Sequence, residues 1–406
     1  MRRIVSLCCA AVLSVLSQTS ASHAGKRENW PATLADARGQ TVYFNAWGGS
    51  ESINRYLDWV AGRVSADSGV TLKHVKLDDT AKAVATVVAE KAAGKTTGGA
   101  VDLIWINGEN FAAMKSQGLL GPGFATELPN WKYVDTENKP TVLSDFTIAT
   151  DGQESPWGMA KLVFFADTAR TGPISAMPTS AADLLDWAKA HPGQLSYPAP
   201  PDFIGSSFLK QVLAETVGDP AVLQRPVDEA TFAVVTAPLF AYLDQLTPVM
   251  WRQGRAFPQN YPAMKQLLAD GELGIIFAFN PAEASNAIES GELPDTVRSY
   301  TFTKGTLGNT HFVAIPFNAN ARAGAKVVAN FLLSPEAQAR KEDPQYWGDP
   351  TVLAMDKLTP EDRAAFAAID RGVATLAPDE LGPVLPEPHP SWMTRIEAEW
   401  LRRYGS

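Results

Sequence analysis

Between Gly39 and Gln117 one pattern repeats three times: a short apolar run, then a longer amphipathic one. Residues 41–47 read as a buried strand. Behind them Ile53, Tyr56, Leu57, Val60 and Val64 recur at helical spacing, with Ser50 placed to cap the helix and Gly69 to end it. Residues 70–75 read as a second strand, followed by an alanine-rich helix that Asp78 or Asp79 can cap. Residues 101–106 read as a third, and Asn107-Gly108-Glu109 opens a helix running through Gln117. Strands and helices alternating this closely predict a mainly parallel sheet with crossover helices, so the fold class is α/β.

The N-terminus bears on compartment and size. Arg2 and Arg3 precede an apolar run over 4–16 and a small polar stretch ending at Ala24, the pattern of a cleavable secretory signal peptide over 1–24. Both cysteines, Cys8 and Cys9, lie inside it. The mature chain is therefore expected to lack disulfides and to bury a core large enough without them, in two domains. An exported chain of this kind suits a bacterial periplasm. Without Arg2 and Arg3 the count is 33 basic against 44 acidic residues, net −11. No Lys/Arg-rich run occurs, so nucleic acid is not an expected partner. No second apolar run reads as long enough to cross a membrane, and a soluble monomer is expected.

After a loose stretch over 119–155, strands are expected at 158–166, 194–197 and 272–279, with helices at 181–190, 228–246 and 262–269. Residues 297–302 and 311–317 read as strands that cross between domains. The tail reads as helical over 323–333, 360–370 and 391–403.

Enzyme signatures fail. Ala93-Gly94-Lys95-Thr96-Thr97 resembles the end of a phosphate-binding loop, but the required earlier glycine is Ala89, inside a helix. His74, His191, His311 and His389 are too scattered for a zinc motif, and no GxSxG elbow occurs. No catalytic residue, cofactor or metal is expected.

Ligands of parallel α/β sheets sit beyond the carboxyl ends of the strands. Four such ends carry small or polar residues before a helix: Trp47-Gly48-Gly49-Ser50, Asn107-Gly108-Glu109, the Asp202 loop with Ser206 and Ser207, and Asn280-Pro281. The first N–H groups of each helix lack partners within it, and small residues let a ligand reach them. Each could equally be an ordinary cap. Trp59, Trp187, Trp392 and Trp400 fall in helices and read as packing residues, as does Trp105 within its strand. Trp47, Trp157 and Trp251 stand at strand ends or in loops, where an aromatic face can stack a flat ligand or hold a cation.

Residues 329–338, Ala-Asn-Phe-Leu-Leu-Ser-Pro-Glu-Ala-Gln, resemble the F-L-x-S-P-E-A-Q segment of periplasmic solute-binding proteins of ABC transporters. Residues 43–49 resemble their first strand and ligand-facing loop. Residues 105–111 and 155–158 are similar to the YnjB-type branch, related to thiamine, polyamine and ferric-ion binding proteins. The resemblance implies a type II fold of two α/β lobes with the ligand in the cleft between them. Lobe 1 would span 39–157 with 275–310 returning to it, and lobe 2 would span 158–274 with part of 311–406. It implies capture of a small solute for delivery to an inner-membrane permease with its ATPase. The solute leans to an organic cation such as thiamine or a polyamine, with Glu109 or Asp202 balancing its charge. Tyr346 stands beside Trp347 where ferric-ion members carry paired tyrosines, which speaks against iron. An anion held at Ser50, Ser206 and Ser207 is the alternative, and a periplasmic enzyme or a sensor on the same frame stays open.

Overall fold

The computed structural model describes residues 29–377 and 380–405, so the expected signal peptide lies outside the described residues. Helix α1 (Trp30–Ala37) leads into β1 (Thr41–Trp47), α2 (Glu51–Ser68), β2 (Thr71–Leu77), α3 (Ala81–Ala92), β3 (Leu103–Ile106) and α4 (Gly108–Ser116). The expected rhythm of strand and helix is present. Ser50 Oγ accepts the Ile53 N–H at 3.5 Å, and Gly69 closes α2 at φ +73°. Ile53, Tyr56, Leu57, Val60 and Val64 are all buried. β1 pairs in parallel with β2 on one side and β3 on the other.

Residues 119–155 hold only 3₁₀ turns and a two-residue hairpin, β4 (Ser144–Asp145) with β5 (Ile148–Ala149). β6 (Glu154–Lys161) then runs directly into β7 (Val163–Asp167), and this is where the chain first crosses between lobes. The second lobe continues with α5 (Thr168–Thr171), α6 (Ala181–Ala190), α7 (Phe203–Thr216), α8 (Glu229–Leu246), α9 (Tyr261–Ala269), β8 (Ile275–Ala278), α10 (Glu283–Glu289) and β9 (Val297–Tyr300). The chain returns through β10 (Thr306–Ala314) into α11 (Arg322–Leu332), α12 (Pro335–Glu342) and α13 (Pro360–Ala367). A last stretch gives β11 (Val384–Pro386) and α14 (Pro390–Tyr404).

The first-lobe sheet has the order β11-β10-β3-β1-β2, with β6 also paired to β10. One core lies beneath it, from Phe44, Tyr56, Trp157, Val328 and Trp347, and another above it, from Ile104, Phe111 and Met114. The second-lobe core joins Phe164, Phe208, Leu243 and Phe277 to Trp392 and Trp400 of α14.

Four expectations change. β8 and β9 both pair with β7, so 275–300 belongs to the second lobe and not to the first. Both pairings are antiparallel, so the second lobe departs from the expected mainly parallel sheet. The reason is connectivity: β7 leaves the crossing, β8 runs back toward it, and β9 does the same along the other edge. The return crossing lies between β9 and β10, over 301–305, instead of within either strand. Finally, the run Glu229–Val249 is, among the described residues, one helix long and apolar enough to span a membrane, contrary to the sequence reading. Its Phe232, Leu239 and Leu243 are buried in the second-lobe core, which accounts for that composition.

Candidate functional site

β1, β2 and β3 end at the edge of the first lobe that faces the second. After β1 the Gly48 N–H donates to Leu77 O at 2.8 Å, and Asn54 Nδ2 donates to Gly48 O at 3.1 Å. A Cβ on Gly48 would lie 2.6 Å from Lys76 Cβ, and one on Gly49 would lie 2.3 Å from the Trp47 ring. The turn itself thus requires both glycines, whatever else approaches them. Gly49 and Ser50 line an interlobe cavity of 310 Å³ with Arg55 of α2, Lys265 of α9 and Asn286 of α10. Trp47 is half-buried against the first-lobe core.

The β3–α4 turn is built more firmly. Gly108 sits at φ +61°, and its N–H donates to both Asp145 oxygens at 2.8 Å. A Cβ there would meet the Phe146 ring at 2.9 Å. Burial raises the Asp145 carboxyl well above its ordinary range. Burial also raises Glu109, with Glu387 and Asp79 adding to the rise and the Lys210 ammonium opposing it. Asn107 is half-buried and its side chain makes no capping bond.

From the second lobe, Asp202 Oδ1 accepts the N–H groups of Ile204 at 2.9 Å and Gly205 at 3.3 Å. Burial raises its carboxyl, and Asp79 of the first lobe pushes the same way. A Cβ on Gly205 would lie 1.8 Å from Pro198 O, because α7 starts directly against the 198–202 loop. Gly205→Ala is expected to destabilise the protein by about 1–3 kcal/mol. Equilibrium urea denaturation checks this, and an unchanged midpoint would mean that the loop gives way freely.

Two residues along α7, Ser206 Oγ donates to Glu397 Oε1 of α14 at 2.5 Å. Burial pushes Glu397 up to about 7, with Glu109 and Asp79 contributing. Lys210, 1% exposed, donates to Glu387 Oε2 at 2.6 Å. Its ammonium lies 4.6 Å from the Phe146 ring centre and 5.4 Å from that of Phe203. Asn309 Nδ2 holds the other Glu387 oxygen at 2.9 Å. Asp79 thus repels Glu109 of its own lobe and Asp202 and Glu397 of the other, and Lys210 is the cation opposing the rise of Glu109 and Glu397.

Several expected residues are placed elsewhere. Trp157 is fully buried in the first-lobe core among Phe44, Trp105, His311 and Trp347, so it has no face to offer a solute. Trp251 donates Nε1 to Glu272 at 2.7 Å and its own N–H to Leu195, at the end of the second-lobe sheet away from the crossing. Both ends of the Asn280 amide are engaged, with Trp347 O and the Ala282 N–H. Ser207 Oγ is buried in α7 without a partner. Lys210, Glu387 and Glu397 were missed. Glu397 stands one turn from both Met393 and Leu401 and beside Ile396, and a carboxylate on that apolar stripe was the available signal. Among the described residues no group of three or more His, Cys, Asp or Glu side chains could hold a metal ion.

Comparison with known proteins agrees with this architecture. Residues 61–354 match the family model for bacterial extracellular solute-binding proteins. Protein YnjB of Escherichia coli (strain K12) is 49% identical over 399 residues, covering 98% of this chain and 99% of that one. The periplasmic binding protein AfuA from Actinobacillus pleuropneumoniae, solved with fructose-6-phosphate bound, superposes with a TM-score of 0.61 at 14% identity, over 90% of this chain and 99% of that one. A putative spermidine/putrescine ABC transporter protein from Listeria monocytogenes gives 0.59 at 16% identity over the same shares. Iron-bound HitA from Pseudomonas aeruginosa gives 0.56 at 16% identity, again over 90% and 99%. With its two lobes, crossing strands and near full-length match to YnjB, the chain belongs to the bacterial extracellular solute-binding proteins.

Proposed function

We propose that the protein captures a small organic cation between its lobes in the periplasm and passes it to an inner-membrane permease. What carries this reading is electrostatic: Asp79 and Glu109 of one lobe push up the carboxyl of Glu397 on the other, and Asp79 does the same to Asp202. Burial and mutual repulsion raise three of these carboxyls, Glu109, Asp202 and Glu397, so a positive charge placed among them would be stabilised by all of them. Phe203, half-buried next to Asp202, supplies the aromatic ring in place of the tryptophans expected from sequence, and in the free protein it lies beside Lys210. Thiamine and polyamines fit this chemistry.

The 310 Å³ cavity beside Ser50 adds no excess positive charge, since Arg55 and Lys265 share its lining with Glu51, Glu283 and Glu292 and Lys265 is paired with the last two. The test is native mass spectrometry followed by melting shifts against thiamine, thiamine phosphates, spermidine, putrescine, amino acids and sugar phosphates. Thiamine or a polyamine is expected to raise the melting temperature, since a ligand at about 100 times its Kd stabilises by about 2.7 kcal/mol. A shift with sugar phosphates alone would reverse the charge assignment. Turnover of a bound compound would bring back the enzyme reading.

A further inference from the structure

The last described elements of the chain are β11 and α14. α14 is not peripheral. Trp392, Ile396 and Trp400 are buried in the second-lobe core, while the helix also packs on α4 of the first lobe. Glu397 lies where these contacts meet. One oxygen accepts the Ser206 hydroxyl of α7, and the other makes no hydrogen bond among the described residues. Glu109 of α4, Lys210 of α7 and Asp79, just before α3, are the charged groups facing it.

We infer that Glu397, on the C-terminal helix α14, is a ligand-contacting residue that sets the preference of the cleft for cations. This rests on the cation reading given above. Three features of its surroundings support it. Glu397 is the acid that α14, packed on α7 of one lobe and α4 of the other, holds where the two lobes meet. Ser206 spends its one hydroxyl proton on it, fixing the orientation of the carboxyl. Lys210 makes no hydrogen bond to it, its ammonium being bonded to Glu387, and acts on Glu397 only through its charge.

A consequence distinguishes ligand contact from simple packing. With its carboxyl raised to about 7, Glu397 is protonated in part of the free protein near neutral pH, and a bound cation requires it ionised. Cation affinity should therefore weaken about tenfold for each pH unit below about 7 and level off above it. Titration calorimetry of the whole mature protein with thiamine and with spermidine, between about pH 6 and about pH 8, reads both quantities. Glu397→Gln is expected to weaken binding at the upper pH roughly tenfold to a hundredfold and to flatten the pH profile. Ser206→Ala removes the hydrogen bond that lowers the carboxyl, so the break in the profile should move to higher pH with α14 still in place. If the wild type binds a cation and Glu397→Gln binds it equally with the same profile, the role of Glu397 is overturned while the cation reading stands. If the wild type binds no cation, both fall together.

Discussion

Replacing Trp157 with alanine is expected to destabilise the protein by about 3–5 kcal/mol while leaving no direct gap in the ligand site. The indole is fully buried and meets Trp105 at 5.0 Å, Trp347 at 5.1 Å, His311 at 5.5 Å and Phe44 at 6.0 Å between ring centres. His311 stacks almost parallel on Trp347 and bonds Asp349, which also takes the fully buried Lys341 ammonium. Gly158, next in sequence, has no room for a Cβ, which would sit 2.0 Å from both Asp349 and His311. Removing the indole opens a void in a cluster with polar members that cannot collapse without breaking these bonds. Urea denaturation of Trp157→Ala and Trp157→Phe, paired with a binding measurement, separates the two roles. A variant near wild-type stability that had lost its ligand would reverse the assignment and return Trp157 to the cleft.

Lys210→Met should be nearly as severe, at about 3–5 kcal/mol. The pair with Glu387 is 1% and 3% exposed, and losing the ammonium leaves a carboxylate among Phe146, Phe203 and other acids. The double variant Lys210→Met with Glu387→Gln should cost much less than the two single changes added together. Its glutamine needs no counter-charge and can still accept from Asn309. Thermal or urea unfolding of all four proteins closes the cycle. Strict additivity would show that the two groups stabilise the fold independently.

How far the sequence reached follows from how local each signal was. α2 was readable because its cap, apolar stripe and terminating glycine lie within twenty residues of one another. The second-lobe strands were visible as apolar runs, but their direction depends on which neighbour each finds. β7 pairs with strands more than a hundred residues later. Trp157 shows the same limit. Next to glycine at a strand end it looks like a ligand wall, but Phe44 and Trp105 from earlier strands and β10 and the 343–349 stretch from far along the chain enclose it. Glu109 and Asp202 were found because they open helices after glycine- or proline-rich turns. Lys210 and Glu397 sit inside amphipathic helices, where a charge reads as a solvated face until the opposing lobe is in place.

The C-terminal stretch also changes how the lobes can move. β6, β10 and β11 lie side by side where the chain passes from one lobe to the other, and Lys161 Nζ grips Gly382 O at 2.9 Å and Pro383 O at 2.6 Å. Strands spaced about 4.8 Å apart make this a ribbon about three strands wide, in place of two loose cords. Such a ribbon resists bending in its own plane far more than flexing through its thin direction or twisting. Sideways shear of one lobe past the other is thereby the motion that this connection opposes most.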